Sequence, residues 1–333
     1  MDQDGGPETL DIEYPLQISE ADADRAAAGE KGQVCPVRRR DFLSSVAAEP
    51  ALAALRPRSQ ARGHRQPGQN ARPTADRRGL KLGTVTYNIA KDWDLPALIT
   101  NLTEAGFEAV ELRTTHKHGV EIALSPAARA EVRKRFEDSA VKIGGLGTTC
   151  EYHAPDAAVL RKNVDETRAW VKLAHDVGSP SVKVRPNGLP KDVPEEKTLE
   201  QIGKALRECG AFAHDHGVKI QLEVHGENTS RVPRIRKILD YGGNHPDVRV
   251  CWNSNQTDLL DGGFDANFRL VRDQIGQIHM RDLFVAEYPW RRLLMALSDM
   301  KFDGYCFAEI PESADPLRVL KYFKGLFGAY QNL

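Results

Sequence analysis

From Leu80 to the C-terminus the chain alternates short segments of two-residue apolar periodicity with longer segments of helical periodicity. The strand candidates are residues 80–89, 109–113, 142–150, 181–186, 219–226, 248–255, 277–283 and 304–310. Between them lie amphipathic stretches such as LPALITNLTEAG, VPRIRKILDYG and PWRRLLMALSDMK, and a last one spans about residues 316–328. Several end on glycine just before the next strand, at Gly106, Gly178, Gly217 and Gly276, which predicts left-handed helix C-caps. Eight strands alternating with eight helices over about 255 residues is the size and rhythm of an α/β fold of the single (β/α)8 kind, a TIM barrel. A doubly wound open sheet is the rival. It is disfavoured because no GxGxxG follows the first strand, and GGLGTT at 144–149 has other spacing and follows the third.

Within the strands the two parities differ. Val182, Val184, Leu222, Val224, Val250, Trp252, Ile278, Met280, Ala308 and Ile310 form one face, suited to packing under helices. The other face carries Lys183 and Arg185, Gln221, Glu223 and His225, Asn253 and Asn255, His279 and Arg281, and Glu309. Gathering ionisable groups away from water costs several kcal/mol per uncompensated charge, so this face predicts a metal ion or polar ligand.

Composition narrows the class further. With 41% hydrophobic residues and a formal net charge of −1, the 333-residue chain can bury a large core and has no electrostatic signature of nucleic-acid binding. Its five cysteines are scattered without a CxxC pair, which disfavours a structural zinc site or a disulfide scaffold. No apolar run approaches the roughly 18 residues of a membrane span. Residues 1–78 are acidic or rich in Ala, Arg, Gln and Pro with little periodicity, and are expected to be a disordered leader before a barrel at 79–333. Within this leader, Arg38, Arg39 and Arg40 precede Phe42, Leu43 and a small-residue stretch, a pattern that resembles a twin-arginine export signal, although Glu49 and Pro50 interrupt its apolar part. Export to the periplasm is the expected location, and the cytoplasm the alternative.

In a barrel of this kind the active site forms at the C-terminal strand ends. Glu223, Asn253, His279 and Glu309 fall near the ends of strands 5 to 8 at separations of 30, 26 and 30 residues, one βα unit each. Two carboxylates, an imidazole and an amide oxygen form an oxygen-rich site without thiolate, suited to one divalent ion: Mn²⁺, Mg²⁺ or Co²⁺, with Zn²⁺ a further candidate. The alternative is an ion-paired inner layer in which the glutamates meet Lys183, Arg185 or Arg281.

At IQLEVHG, VCWNSN, IHMRD and FAEI the chain resembles the xylose-isomerase-like barrel superfamily of sugar (phosphate) isomerases and epimerases, over about residues 80–328. The resemblance implies a divalent ion held by Glu223, Asn253, His279 and Glu309, with Glu223 and Glu309 also acting as paired acid and base on a ketose or oxo-sugar through an enediolate. Proton return to the same carbon gives epimerisation, return to the adjacent carbon gives isomerisation, and loss of a β-leaving group gives lyase or dehydratase chemistry. The chain departs from the family at Asn253, where an aspartate is common, and at Asn255, where a histidine is often found. An amide lowers the ligand charge, so the ion is either held less tightly and is a stronger Lewis acid, or the barrel is a non-catalytic sugar binder. Endonuclease-like relatives need further histidines and an Asp-x-His segment after strand 7; DLFVAEYPW has none.

Substrate-binding candidates are His225, Lys183, Arg185, Arg281, Asn255, Glu151 and His153. Lys183 and Arg185 either neutralise an anionic substrate group or pair with Glu223. Glu111 and Arg113, with His116 and His118 beyond, are candidates for the opposite wall, and Trp93 and Tyr152 for stacking on a sugar face; Trp252 has core parity. The expected partner is a small carbohydrate, and a second copy of the chain could dock through a helix face such as VKLAHDVG or RLVRDQIG.

Overall fold

A computed structural model describes residues 79–332. The leader and its export-like segment lie outside these residues. Strand β1 (Lys81–Val85) leads to helix α1 (Leu95–Ala105), β2 (Ala109–Arg113) to α2 (Pro126–Glu137), β3 (Lys142–Glu151) to α3 (Ala157–Val177), and β4 (Ser181–Arg185) to α4 (Glu195–His214). The second half repeats this: β5 (Lys219–Glu223) and α5 (Val232–Tyr241), β6 (Val248–Asn253) and α6 (Phe264–Val271), β7 (Ile275–Met280) and α7 (Trp290–Asp299), β8 (Tyr305–Ala308) and α8 (Pro316–Gln331). Each strand pairs in parallel with its sequence neighbours, and β8 closes on β1 with Gly83 opposite Phe307 and Thr84 opposite Ala308.

Local chemistry sets these boundaries. The side chain of Asp94 accepts a hydrogen bond from the Ala97 amide at the start of α1, and Gly106 closes that helix at φ 72°. Asp156 and Gly178 do the same for α3. Gly217 is also left-handed, at φ 66°, but lies beyond the end of α4. Gly276 departs from expectation. It is not a helix cap but the second residue of β7, where the pairing with β6 skips from Val250–Ile275 to Cys251–Gln277. A Cβ there would fall 2.8 Å from Cβ of Arg249, an atom fixed to the β6 backbone, so the bulge favours glycine.

The apolar parity is buried throughout: Val182, Val184, Leu222, Val224, Val250, Trp252, Ile278, Met280, Ala308 and Ile310 all pack into the layer between strands and helices. Each of the Val, Leu, Ile and Met side chains contributes about 1.5–3 kcal/mol on transfer from water. Inside the barrel, Phe307 packs with Val85 and Ala109, flanked by Tyr87 and Tyr305. Tyr152 belongs to the core and not to a sugar platform: it is fully buried and its hydroxyl lies 2.7 Å from Thr167 Oγ1. Among the described residues no helix is long and apolar enough to cross a membrane.

A polar string braces the loop after β6. The Trp252 indole donates to the Tyr288 hydroxyl at 2.9 Å, and that hydroxyl donates to Oδ2 of buried Asp258 at 2.6 Å. The same oxygen accepts from the Asn255 amide, whereas Oδ1 has no partner. Burial pushes the Asp258 carboxyl up to about 8, against the Tyr288 and Asn255 hydrogen bonds. Because the folded value lies above the unfolded one, its stabilising contribution is present below the unfolded pKa and is lost as pH rises through about 8. Asp258→Asn keeps an acceptor for both donors and has no proton to lose. Between pH 5 and pH 9 the wild type should lose on the order of 4 kcal/mol more unfolding free energy than this variant in urea titrations; parallel losses would refute the assignment.

Candidate active site

The inner parity converges at the C-terminal mouth. Asn253 and His279 are direct cross-strand partners, and Glu223 stands opposite Cys251 one strand away. Glu309 lies one residue past β8, yet its amide still donates to the Met280 carbonyl at 2.8 Å, which extends the ladder and holds the side chain in place. Nδ1 of His279 lies 3.4 Å from Glu223 Oε1 and 3.4 Å from Glu309 Oε2, but is aligned with neither for a hydrogen bond and has no other partner. One ligand atom from each of Glu223, His279 and Glu309 falls within 4.8 Å of the others. Donors bound at roughly 2.0–2.2 Å to one ion lie roughly 3–4.4 Å apart, so small side-chain adjustments suffice to share a cation. Asn253 presents Nδ2 to Glu223 Oε1 at 3.4 Å, and a half-turn of the amide presents its oxygen instead.

The ion-paired inner layer read from the sequence as the alternative is present, beside the cluster of Glu223, His279 and Glu309. Lys183 pairs with Glu223, Nζ to Oε2 at 2.7 Å, and both side chains are buried. Glu309 has no lysine or arginine partner among the described residues and remains partly open to the mouth. Burial works against the Glu223 carboxylate, but Lys183, His225 and His279 outweigh it and hold this carboxyl well below its usual range. Burial likewise disfavours a charged Lys183, but Glu223, Glu111 and Glu309 raise it. Around His279, Cys251, Glu111 and Glu309 override burial and raise the imidazole well above its ordinary value. The cluster is thus a set of interlocked charges with one nitrogen aimed at the gap between two carboxylates.

A second polar network lines the β3–β5 side of the mouth. Glu151 Oε1 accepts from Arg185 and from Asn187 Nδ2, and Asn187 Oδ1 lies 2.8 Å from His225 Nδ1. His153 Nδ1 approaches Glu151 Oε2 at 3.7 Å, too far for a hydrogen bond. Four of the predicted substrate residues, Glu151, His153, Arg185 and His225, are therefore brought together, and Asn187, which the strand pattern could not flag, joins them. The other two mouth candidates are engaged elsewhere. Arg281 donates through Nε to the Ser254 carbonyl at 2.6 Å and lies over the Tyr288 ring. The Asn255 side chain donates to the Val224 carbonyl at 2.6 Å and caps the short 3₁₀ turn Gln256–Leu259. His118 is held by the Arg113 carbonyl and the Val120 amide, and His116 by Thr86, so both serve their loop. Trp93 lines a cavity of about 430 Å³ with Asn88, Asp92 and Glu312.

Glu111, a candidate for the opposite wall, does lie across the barrel from His279 but deeper than a wall residue. It is fully buried beneath the mouth, its Oε2 is 3.1 Å from His279 Nε2, and Gln277 Nε2 donates to the same oxygen at 2.6 Å. Its parity with Arg113 was visible; its reach across the barrel was not.

A closed eight-stranded parallel barrel with two glutamates and a histidine around one point at its mouth defines a (β/α)8 protein with a centre suited to a divalent cation. The chain belongs to the xylose isomerase-like TIM barrel family, whose model matches residues 99–324. Among solved structures it is similar to 3-keto-D-glucoside 4-epimerase YcjR from E. coli in its apo form (12% identity, TM-score 0.64, covering 75% of this chain and 99% of that one). It is also similar to an L-ribulose 3-epimerase (15%, 0.65, 76% and 95%) and to the IOLI protein with a bound zinc atom (15%, 0.63, 75% and 99%). At these identities the likeness is one of fold. No curated protein sequence matches the chain significantly.

The Lys183–Glu223 pair yields a stability test. Lys183→Met strands a buried carboxylate and should cost about 3–5 kcal/mol, whereas adding Glu223→Gln to it should recover a large part of that loss. Urea unfolding of the two variants decides this; equal destabilisation would show that Lys183→Met leaves no costly charge stranded on Glu223.

Proposed function

We propose that the protein is a divalent-metal-dependent sugar isomerase or epimerase that moves a proton at a carbon beside the carbonyl of a ketose or oxo-sugar. The observation that carries this reading is the buried Nδ1 of His279, which makes no hydrogen bond although it lies 3.4 Å from a carboxylate oxygen of both Glu223 and Glu309. A fully hydrogen-bonded inner layer would leave no such atom. Glu223, His279 and Glu309, with Asn253 through its amide oxygen, would hold the ion, and this donor set suits Mn²⁺, Mg²⁺ or Co²⁺ and also accepts Zn²⁺. Such an ion, when bound, polarises a substrate carbonyl and stabilises negative charge on its oxygen.

The chain's own residues supply the proton handling. Lys183 keeps Glu223 anionic, the form a base needs, and makes it ready to release a captured proton. Glu309 stands on the other side of Nδ1, nearer the mouth, where it can give or take a proton at the opposite face of a bound carbon. Removal by one glutamate and return by the other inverts the centre; return at the neighbouring carbon isomerises the sugar. The Glu151, Arg185, Asn187 and His225 network offers donors and acceptors for sugar hydroxyls beside this point. That similar folds include a 3-keto-D-glucoside 4-epimerase and an L-ribulose 3-epimerase supports the substrate class. Asn253 favours a second reading, a sugar-binding barrel without turnover, because its amide contributes no charge to the centre.

Elemental mass spectrometry of the full-length protein after defined metal loading tests the first half of the proposal. About one divalent ion per chain is expected, lost in the Glu223→Gln/His279→Ala variant. The second half is read as solvent-deuterium incorporation into D-fructose, L-ribulose and 3-oxo-glucosides, followed by NMR. Glu309→Gln should lower that rate by about 10²–10⁴-fold while sparing sugar binding. No metal at saturating supply defeats the mechanism, and metal with sugar binding but no exchange supports the second reading.

A further inference from the structure

Glu111 on β2 and His279 on β7 are separated by β8 and β1 around the barrel, so their 3.1 Å contact spans the interior. One glycine of β3 makes room for that reach. A Cβ on Gly147 would fall 2.7 Å from Glu111 Oε1. Gly147 is thus a vacancy that the Glu111 carboxylate fills. The contact is not a closed ion pair, because Glu111 Oε1 and His279 Nδ1, the far atom of each partner, are both buried without hydrogen bonds.

Resting on the metal-dependent reading above, we propose that Glu111 is a positioning residue for the metal centre: it accepts the Nε2 proton of His279 and so leaves Nδ1 as the nitrogen that would bind an ion held between Glu223 and Glu309. An imidazole that donates to a carboxylate is a more basic ligand, and the Glu111 charge stands one side chain behind the centre that Asn253 leaves a charge short. The competing arrangement has Gln277 Nε2, 3.2 Å from His279 Nε2, donating to that nitrogen. It would set the nitrogen lone pair against the Glu111 carboxylate, an acceptor-only group at 3.1 Å, and aim Nδ1–H at the site. With the proton on Nε2, both Gln277 and His279 donate to Glu111 Oε2, which has lone pairs for two donors.

The test compares Mn²⁺ affinity, measured by chelator competition on full-length protein, in the wild type and in Glu111→Gln, Gly147→Ala and His279→Ala. His279→Ala should abolish binding. Glu111→Gln should weaken it about 10- to 100-fold. Gly147→Ala keeps the carboxylate but occupies its place; it should produce a similar loss and serves if Glu111→Gln fails to fold. In zinc-loaded protein labelled with ¹⁵N-histidine, wild-type His279 should show an exchange-protected, downfield proton on Nε2 that moves upfield in Glu111→Gln. Merely structural packing would not shift that resonance. If Mn²⁺ affinity stays within about twofold in both Glu111→Gln and Gly147→Ala while His279→Ala loses it, or if the wild-type proton sits on Nδ1, this inference fails and the proposed function stands. A wild type without Mn²⁺ affinity overturns both.

Discussion

Glu111, Lys183, Glu223 and His279 are all buried inside one barrel, and the structure depends on their holding one another there. Alone, each would cost several kcal/mol to keep charged away from water. Together they form a chain: Lys183 to Glu223, Glu223 beside His279, His279 to Glu111, and Glu111 to Gln277. Removing a link strands its neighbour, which is why truncating one member is expected to cost more than neutralising a pair. The same chain sets the chemistry, since it keeps a carboxylate ionised and leaves one imidazole nitrogen facing the mouth.

The fold supplies the geometry for this chain through small residues. The shift in pairing between β2 and β3 falls where Gly144 stands beside the Phe307 ring, and the shift between β6 and β7 falls at Gly276 against Gln221. These irregularities let Gln277 and His279 face inward at the height of Glu111. Phe307, Val85 and Ala109 pack the adjoining interior with apolar atoms. Water is thereby excluded from that side of the charged layer, which strengthens every interaction within it.

Period-two alternation made the barrel legible, because an inner and an outer face must differ wherever helices cover one of them. The adjacency of Glu223, Asn253, His279 and Glu309 was legible for a related reason: residues one βα unit apart at strand ends must be neighbours at the mouth. Side-chain reach was not. Nothing in the spacing of Glu111 says that it crosses to β7, and GGLGTT carries no hint that its last glycine is room for a carboxylate. Gly276 was misread because a glycine between a helix and a strand looks the same whether it caps the first or bulges the second. Loop partners such as Asn187 escaped for want of any periodicity to place them.

The mouth is also unequal around its rim, and this follows from which groups are already satisfied. On the β6–β7 side, Arg281 and Asn255 are bound to the backbone carbonyls of Ser254 and Val224, so their hydrogen-bonding capacity is largely committed to holding loops. On the β3–β5 side, Nε of Arg185 and Nδ1 of His153 are buried without partners beside Glu151. Unpaired buried polar atoms are costly, and a folded chain tolerates them where a ligand completes the set. The charged centre therefore has a rigid wall on one flank and unspent polar capacity on the other. Under the proposed function, an asymmetric polyol seated over Glu223 and Glu309 would meet the free polar atoms of the β3–β5 flank, which is a basis for choosing which carbon lies between the two carboxylates.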